Sequence, residues 1–465
     1  VLRRSRPEVP LFALVFGVYA YFYQAGGWNQ NSRFDLTRAV VEHGTLAIDA
    51  FQENTGDKAR RGEHWYTDKA PGLSWLAVPA YAVTHLLRPG ALVAGSYLAT
   101  LSAVGLPSAL AALQLFRLGR ELGLAAPWAA GITLAYALGT LALPYSTILH
   151  GHQTAAALGL SAFTLVHRRR RPVLAGFLLA SAVCVDYSAA LLAAIVAAYA
   201  VARLGATGAA WLVAGGLPPA AALALYHAVA FGHPLALPYE FALQDHRRTG
   251  WFMGIATPDP QVAWELLVGS YRGLFYAAPW LLAGLPGIVM LYRRGHRAEA
   301  VVCGTVFLSY LLLNAGLVDW HGGWAMGPRY LIPALPFLAV GAMGLVLAWP
   351  AESQARRRLA YAGALAAVFS FAMMLVGTAV RPDVPLTIRR PYPDYLLPAF
   401  AHGRLSRSNH PIDGEGVGGR RAAWNLGHQA GLEGLPTLVP LATWMALTGW
   451  WLARAARGTS REPRP

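Results

Sequence analysis

Apolar runs separated by short polar stretches recur from one end of the chain to the other. Leu11 to Tyr23, Gly90 to Phe116, Ala125 to Tyr145 and Leu331 to Trp349 are examples. Runs of this kind read as transmembrane helices, each needing roughly 20 apolar residues. Arginines punctuate the pattern at Arg3, Arg4 and Arg6; Arg117 and Arg120; Arg168 to Arg171; Arg203; Arg293, Arg294 and Arg297; Arg356 to Arg358; and Arg454, Arg457 and Arg461. Basic clusters beside apolar runs mark cytoplasmic loops, so between clusters the chain crosses an even number of times. Two crossings fit between 121 and 167, turning near HGHQ at 150–153, and two between 172 and 203, turning at Asp186. Two more fit in each of 204–292, 298–355 and 359–453. From 9 to 116 there are three apolar segments, 9–23, 71–88 and 91–116. An even count requires that one of them does not cross. The 71–88 segment carries Pro71 and Pro79 and ends in Arg88-Pro89-Gly90, so it breaks most readily. The pattern predicts an all-α polytopic membrane protein of about twelve transmembrane helices, multi-pass in the cytoplasmic membrane with both termini in the cytoplasm.

The first outer loop is long, from about 24 to 70. Within it SRFDLTRAVVEHG has the spacing of a short amphipathic helix. Phe34, Thr37, Val40 and Val41 make one face, and Asp35, Arg38 and Glu42 the other. Ser32 is the expected N-cap and Gly44 the stop, and such a helix is expected to lie flat on the membrane. Further outer loops are expected at about 232–272, 319–330 and 381–434. The N-terminal VLRRSRPEVP before an apolar run has signal-peptide character without a small-residue cleavage site, and reads as an uncleaved first helix.

Composition narrows the picture. Charged residues make up 13% of the 465-residue chain, against about 25% in soluble domains. A net charge of +15 is accounted for by the loop arginines, and nucleic acid is not an expected partner. Cys184 and Cys303 both lie in apolar runs and read as buried thiols. Arginine outweighs lysine so strongly that Lys58 and Lys69 are the only lysines among 38 basic residues. That bias points to a GC-rich bacterial genome, and it makes Lys69, in YTDKAPG at the end of the first outer loop, stand out.

The outer turns carry more polar chemistry than connections need. They offer Asp35, Asp49, His64, Tyr66, Asp68 and Lys69; then His150, His152 and Gln153; Asp186 and Tyr187; Tyr239, Glu240, Arg247, Arg248 and Arg272; and Asp319, Trp320, His321, Arg329 and Tyr330. Arginine and lysine suit phosphate, a carboxylate suits a general base, and aromatic rings suit sugar faces. Together they suggest a site for an anionic, polar substrate on the outer face. Bland readings stand beside these. Asp35 has the spacing of a capping-box partner to Ser32, Lys69 that of a snorkelling interface lysine, and Asp186 that of a helix cap. Tyr330 reads as an interface anchor and Glu240 as a loop solvator. Arg329 opens a helix after Gly327-Pro328, where a cation opposes the dipole and calls for an anionic partner.

The N-terminal helix, the long outer loop with an amphipathic helix, and HWYTDKAPGLSWLAVP together resemble the membrane glycosyltransferases of the GT-C class. The closer likeness is to the protein O-mannosyltransferase and lipid A aminoarabinose transferase branch. It is most specific over about residues 20–165, and HGGWAMGPRYLIPALPFL resembles a later segment of the group. The resemblance implies a polyprenyl-phosphate sugar donor and transfer at the outer face. It matches Lys69 to a lysine that contacts the lipid phosphate. It matches Asp68 to the neighbouring acid, which in some members helps hold a divalent metal; pairing with Lys69 is the other reading. His152 stands where the family has an aspartate. Where the family carries an acidic catalytic pair, this chain has Asn29 to Asn31, and Asp35 is the nearest carboxylate.

The reading that follows has residues 1–231 as a GT-C-like catalytic module and 232–465 as C-terminal transmembrane helices. Asp35 serves as catalytic base. Lys69, Tyr66, His152, Asp186, Glu240, Arg272, Arg329 and Tyr330 line the substrate, and Asp68 is the candidate metal ligand. A sugar passes from the lipid phosphate to a glycan, lipid or protein acceptor. A transporter or flippase of polyprenyl-linked sugars, and an inactive scaffold of an envelope assembly, are the alternatives.

Overall fold

The computed structural model describes residues 6–244, 249–350, 352–407 and 422–458; Arg3, Arg4, Arg247, Arg248 and Arg461 lie outside them. The chain is predominantly helical. Helix α1 (Glu8–Tyr21) leads through strand β1 (Phe22–Gln24) into α2 (Trp28–Arg38), which continues as a π-turn over Ala39–His43. A hairpin of β2 (Lys58–Arg61) and β3 (His64–Thr67) turns at Gly62, whose φ of 60° suits a residue without a Cβ. The chain then runs through α3 (Gly72–Leu87), α4 (Leu92–Glu121), α5 (Ala126–Leu138), α6 (Gly151–His167), α7 (Pro172–Val185) and α8 (Ala189–Phe231). Later helices are α9 (Pro260–Val268), α10 (Gly284–Arg293), α11 (Arg297–Ala315), α12 (Leu335–Leu347), α13 (Gln354–Val380) and α14 (Val439–Gly458). Strand β4 (Ala423–Asn425) pairs antiparallel with β1 and closes the far end of the chain onto its beginning.

Among the described residues, five helices are long and apolar enough to cross a membrane, and Glu8–Tyr21, Gly72–Leu87, Ala126–Leu138 and Pro172–Val185 are shorter apolar helices. Helix α8 spans 43 residues, about 65 Å at 1.5 Å per residue, twice a bilayer core. It is broken at Gly205, with φ 72° and ψ −177°, next to Arg203 where the arginine pattern expects a loop. Cys184 and Cys303 are buried free thiols. Helix α3 begins after Pro71, as the sequence predicts, and buries Leu73, Ala77 and Tyr81 while Leu86 and Leu87 are exposed.

The loop helix differs from expectation. Helix α2 starts four residues before Ser32, with Gly27 as N-cap, and Gly44 ends the following turn in the left-handed region. It does not lie flat with one face in solvent: every residue from Gln30 to Thr37 is buried. The physical reason is the polar stretch that follows it. That stretch folds back and meets the polar face with its own hydrogen bonds. Asn31 Nδ2 donates to the Asn54 carbonyl (2.9 Å), Asn54 Nδ2 to Asp35 Oδ1 (3.1 Å) and Thr55 Oγ1 to the Trp28 carbonyl (2.8 Å). These bonds satisfy much of the polar face, while Asp35 Oδ2 and the Gln30 amide are buried with no partner among the described residues.

Candidate active site

Hairpin β2–β3 delivers Thr67 to Pro71 as a corner against α2. Ser32 Oγ and Thr67 Oγ1 meet at 2.6 Å, and Thr67 Oγ1 also accepts the Lys69 N–H at 3.1 Å. Lys69 is thereby fixed, and its side chain is buried between two carboxylates. Nζ lies 2.9 Å from Asp57 Oδ2 and 3.0 Å from Asp68 Oδ1. Asp68 is fully buried. The ammonium thus fills the place between Asp57 and Asp68 that a metal ion would take. Among the described residues no group of three His, Cys, Asp or Glu side chains could hold one. With Lys69 between the two carboxylates, the described residues around Asp68 offer no ligand set for a divalent metal.

Three more elements converge on Lys69. Gly151, at the start of α6, sits so close to the end of α7 that an added Cβ would lie 2.6 Å from the Val185 carbonyl and 3.1 Å from Arg33 Nη2. Arg33, from α2, is buried here; Nε donates to Asn29 Oδ1 (3.0 Å) and Nη1 to the carbonyls of Ala70 (3.2 Å) and Val185 (3.3 Å). His152 Nδ1 lies 2.5 Å from Asp186 Oδ2. Asp186 also accepts the Ser188 N–H (3.0 Å) and Oγ–H (2.8 Å), so it caps its turn and faces the site together. Burial alone would raise the Asp186 carboxyl, but His152, Arg33 and Ser188 hold it well below the usual carboxylate range.

Arg329 completes the cluster from a 3-10 turn (Arg329–Ala334) ahead of α12. Nη1 donates to His150 Nε2 (3.1 Å) and Nη2 reaches Tyr330 Oη (3.5 Å). Its Nε is buried without a hydrogen-bond partner, and no carboxylate lies within ion-pair distance of it among the described residues. Gly322 makes room for this guanidinium. Its φ is 68°, and a Cβ there would lie 2.9 Å from Arg329 Nε. Tyr330 turns its ring edge to His152, with centroids 5.3 Å apart.

Two cavities meet at this cluster. The larger, about 640 Å³, touches Arg33, Lys69, His152, Asp186, Arg329 and Tyr330 at one end. Elsewhere its wall is mostly aliphatic, from α7, α8 and α11, with Val183, Leu223 and Leu313 among the lining. The smaller, about 320 Å³, is bounded by Asp57, His150, Asp319, His321 and Asp383. Asn29 and Arg329 belong to both walls. The lining comes from both sides of residue 231, so a division there runs through the site.

Lys69, His152, Asp186, Arg329 and Tyr330 are brought together as expected. The others are corrected. Asp35 is fully buried and lines neither cavity; Asn54 holds Oδ1, Oδ2 has no partner, and burial pushes its carboxyl well above the ordinary value. A carboxylate sealed from both cavities has no access to an acceptor. Tyr66 packs against Phe231, at 5.5 Å between centroids, and does not line the larger cavity. Glu240 is exposed and accepts the Leu237 N–H of its own turn (3.3 Å). Arg272 is buried with its donors spent on the His321 and Gly323 carbonyls (both 2.9 Å), so it shapes the 321–323 loop instead of meeting a ligand. Arg33, Asp57 and Asp383 were not singled out by the sequence. Arg33 had a signal, since an arginine in a loop assigned to the outer side runs against the charge rule.

No family model matches the chain, and no curated protein matches it in sequence. Among solved structures it is similar to ArnT from Cupriavidus metallidurans bound to undecaprenyl phosphate, with a TM-score of 0.52 and 15% identity over 96% of this chain and 75% of that one. It is likewise similar to the apo state of the same protein, with a TM-score of 0.50 and 16% identity over 95% and 74%. The chain has the fold of the GT-C membrane glycosyltransferases. That agrees with the resemblance seen in HWYTDKAPGLSWLAVP, and at this identity it speaks to fold, with activity left to the chemistry of the site.

Proposed function

We propose that the protein is a glycosyltransferase that moves a sugar from a polyprenyl-phosphate carrier to a hydroxyl acceptor, at the outer face of the cytoplasmic membrane. The observation that carries this reading is Arg329. A buried guanidinium with an unpartnered Nε is costly unless something anionic completes it, and phosphate matches its fork. Lys69 and Arg33 stand on the same cavity wall. The aliphatic remainder of that wall suits an isoprenoid chain, and ArnT, whose fold this chain shares, was captured with undecaprenyl phosphate.

In this reading the isoprenoid lies in the larger cavity, the phosphate at Arg329, Lys69 and Arg33, and the sugar reaches past Asn29 into the smaller one. Asp57 and Asp68 hold the Lys69 ammonium in place. His152, oriented by Asp186, and Tyr330 flank the phosphate. As the glycosidic bond to phosphate breaks, negative charge grows on the leaving oxygen, and fixed cations in a dry site stabilise that charge most. No step runs through a metal. The outer-face assignment is supported by α6, which carries His152 in its first turn and Arg168 just past its other end, about 25 Å away along the axis.

An inactive scaffold is the second reading, favoured by Asn29 and Asn31 where the family has acids. Purified protein given labelled polyprenyl-phosphate pentose or hexose with a membrane-lipid extract separates the two. Sugar transfer that disappears in Arg329→Ala supports the transferase. Binding of undecaprenyl phosphate with no turnover of any donor points to the scaffold.

A further inference from the structure

The base assigned from sequence is sealed away, so the proton of the acceptor hydroxyl needs another destination. The carboxylates bordering the smaller cavity are Asp57, Asp319 and Asp383. Asp57 is committed on both oxygens, with Oδ2 on Lys69 (2.9 Å) and Oδ1 accepting from Gln244 Nε2 (2.6 Å). Asp319 lies 3.1 Å from His321 Nδ1 and has further contacts. That ring nitrogen accepts the Gly323 N–H at 2.9 Å, so it carries no proton toward Asp319.

Asp383 is held differently. It follows the end of α13, and both its side-chain contacts fall on one oxygen. Oδ1 is 3.1 Å from Arg381 Nε and accepts from Gln24 Nε2. Gln24 is the last residue of β1, so the β1–β4 pairing anchors the donor that anchors the carboxylate. Oδ2 receives no hydrogen bond from another described residue. Gly27, the N-cap of α2, lies close by: a Cβ there would come 3.1 Å from Oδ2 and closer still to the Gln30 side-chain oxygen. Ala325 N–H donates to the Val384 carbonyl (3.0 Å), which ties this corner to the loop that shelters Arg329. One oxygen clamped and the other without such a bond, on a residue that borders a polar cavity, is the arrangement a general base needs. Burial raises the Asp383 carboxyl against the opposing pull of Arg381, which strengthens it as a proton acceptor.

We propose that Asp383 is the general base of the transfer reaction, acting through Oδ2 from the smaller cavity; this rests on the glycosyltransferase reading above. The acceptor O–H gives its proton to Asp383 Oδ2 while its oxygen bonds the anomeric carbon. The bond from that carbon to the phosphate oxygen breaks, and its electron pair leaves on the polyprenyl phosphate, met by Arg329, Lys69 and Arg33. Arg381 and Gln24 position Asp383 and touch no substrate.

The test measures two quantities on wild type, Asp383→Asn and Asp383→Glu: retention of labelled undecaprenyl phosphate, and sugar release from polyprenyl-phosphate pentoses and hexoses. Acceptors are water and a membrane-lipid extract. Asp383→Asn is expected to bind the lipid phosphate as wild type does and to lose transfer by about 100-fold or more. Asp383→Glu, which keeps the charge against Arg381, is expected to fold, bind and recover part of the rate. Transfer by Asp383→Asn at near the wild-type rate overturns the role of Asp383 and leaves the glycosyltransferase reading standing. If Asp383→Asn fails to fold, a folded Asp383→Glu with an unchanged rate overturns it equally. Wild-type protein that neither binds the lipid nor releases sugar from any donor overturns the broader reading and the base with it.

Discussion

The two cavities share Arg329 and Asn29 yet are built from opposite materials. The larger is walled mainly by aliphatic side chains of α7, α8 and α11, and its charged groups gather at one end. The smaller is walled by the polar start of α2 and by the loops around 319–324 and 383–386, with three aspartates and two histidines. Helices that cross a bilayer supply apolar surface wherever they gape, whereas loops supply carboxylates and backbone. Under the proposed function, the contrast places a lipid on one side and hydroxyl chemistry on the other, with the guanidinium of Arg329 on the wall they share.

Substitutions on the two walls should therefore have separable effects. The largest is expected at the shared wall. Arg329→Ala should lower transfer by about 100- to 1,000-fold, the scale of losing a preorganised charge stabiliser, with undecaprenyl phosphate binding weakened as well. Arg329→Lys should rescue poorly, since one ammonium does not replace a fork that reaches His150, Tyr330 and a ligand together. Loss of transfer with lipid binding fully intact would remove Arg329 from the phosphate site. Next comes a substitution confined to the larger wall. Ala224→Trp fills space lined by aliphatic neighbours. It should weaken use of long-chain donors while sparing a short isoprenoid donor; equal loss with both would contradict an isoprenoid in that cavity.

The smallest effect is expected at Asp35. Because burial raises its carboxyl, the folded value lies above the unfolded one. The charged form then costs stability at neutral pH, and that cost fades as pH falls through the folded value. Asp35→Asn should leave transfer unchanged and raise Tm at neutral pH, with the gain shrinking in acid. A dead Asp35→Asn enzyme that still binds lipid phosphate would return the base to α2.

These residues also show what a sequence can carry. The helical membrane architecture was legible because apolar runs and arginine clusters are local signals. So was Lys69, since a lone lysine in YTDKAPG among so many arginines marks itself. The burial of α2 was not, because it depends on a polar loop folding back through Asn54 and Thr55. Asp383 was still less so. Its geometry depends on Gln24, some 360 residues away, and on a strand pair that joins the two ends of the chain. Arg272 and Glu240 erred in the other direction: chemically apt side chains whose groups the backbone had already claimed.

A lipid phosphate on the wall between the cavities is what the proposed function requires. An experimental structure of the wild-type protein with undecaprenyl phosphate tests it most directly. The expected result is a phosphate about 3 Å from Arg329 Nε, with Lys69 and Arg33 on its other oxygens and the isoprenoid along the larger cavity. A phosphate bound elsewhere, with Arg329 Nε still unpartnered, would contradict it.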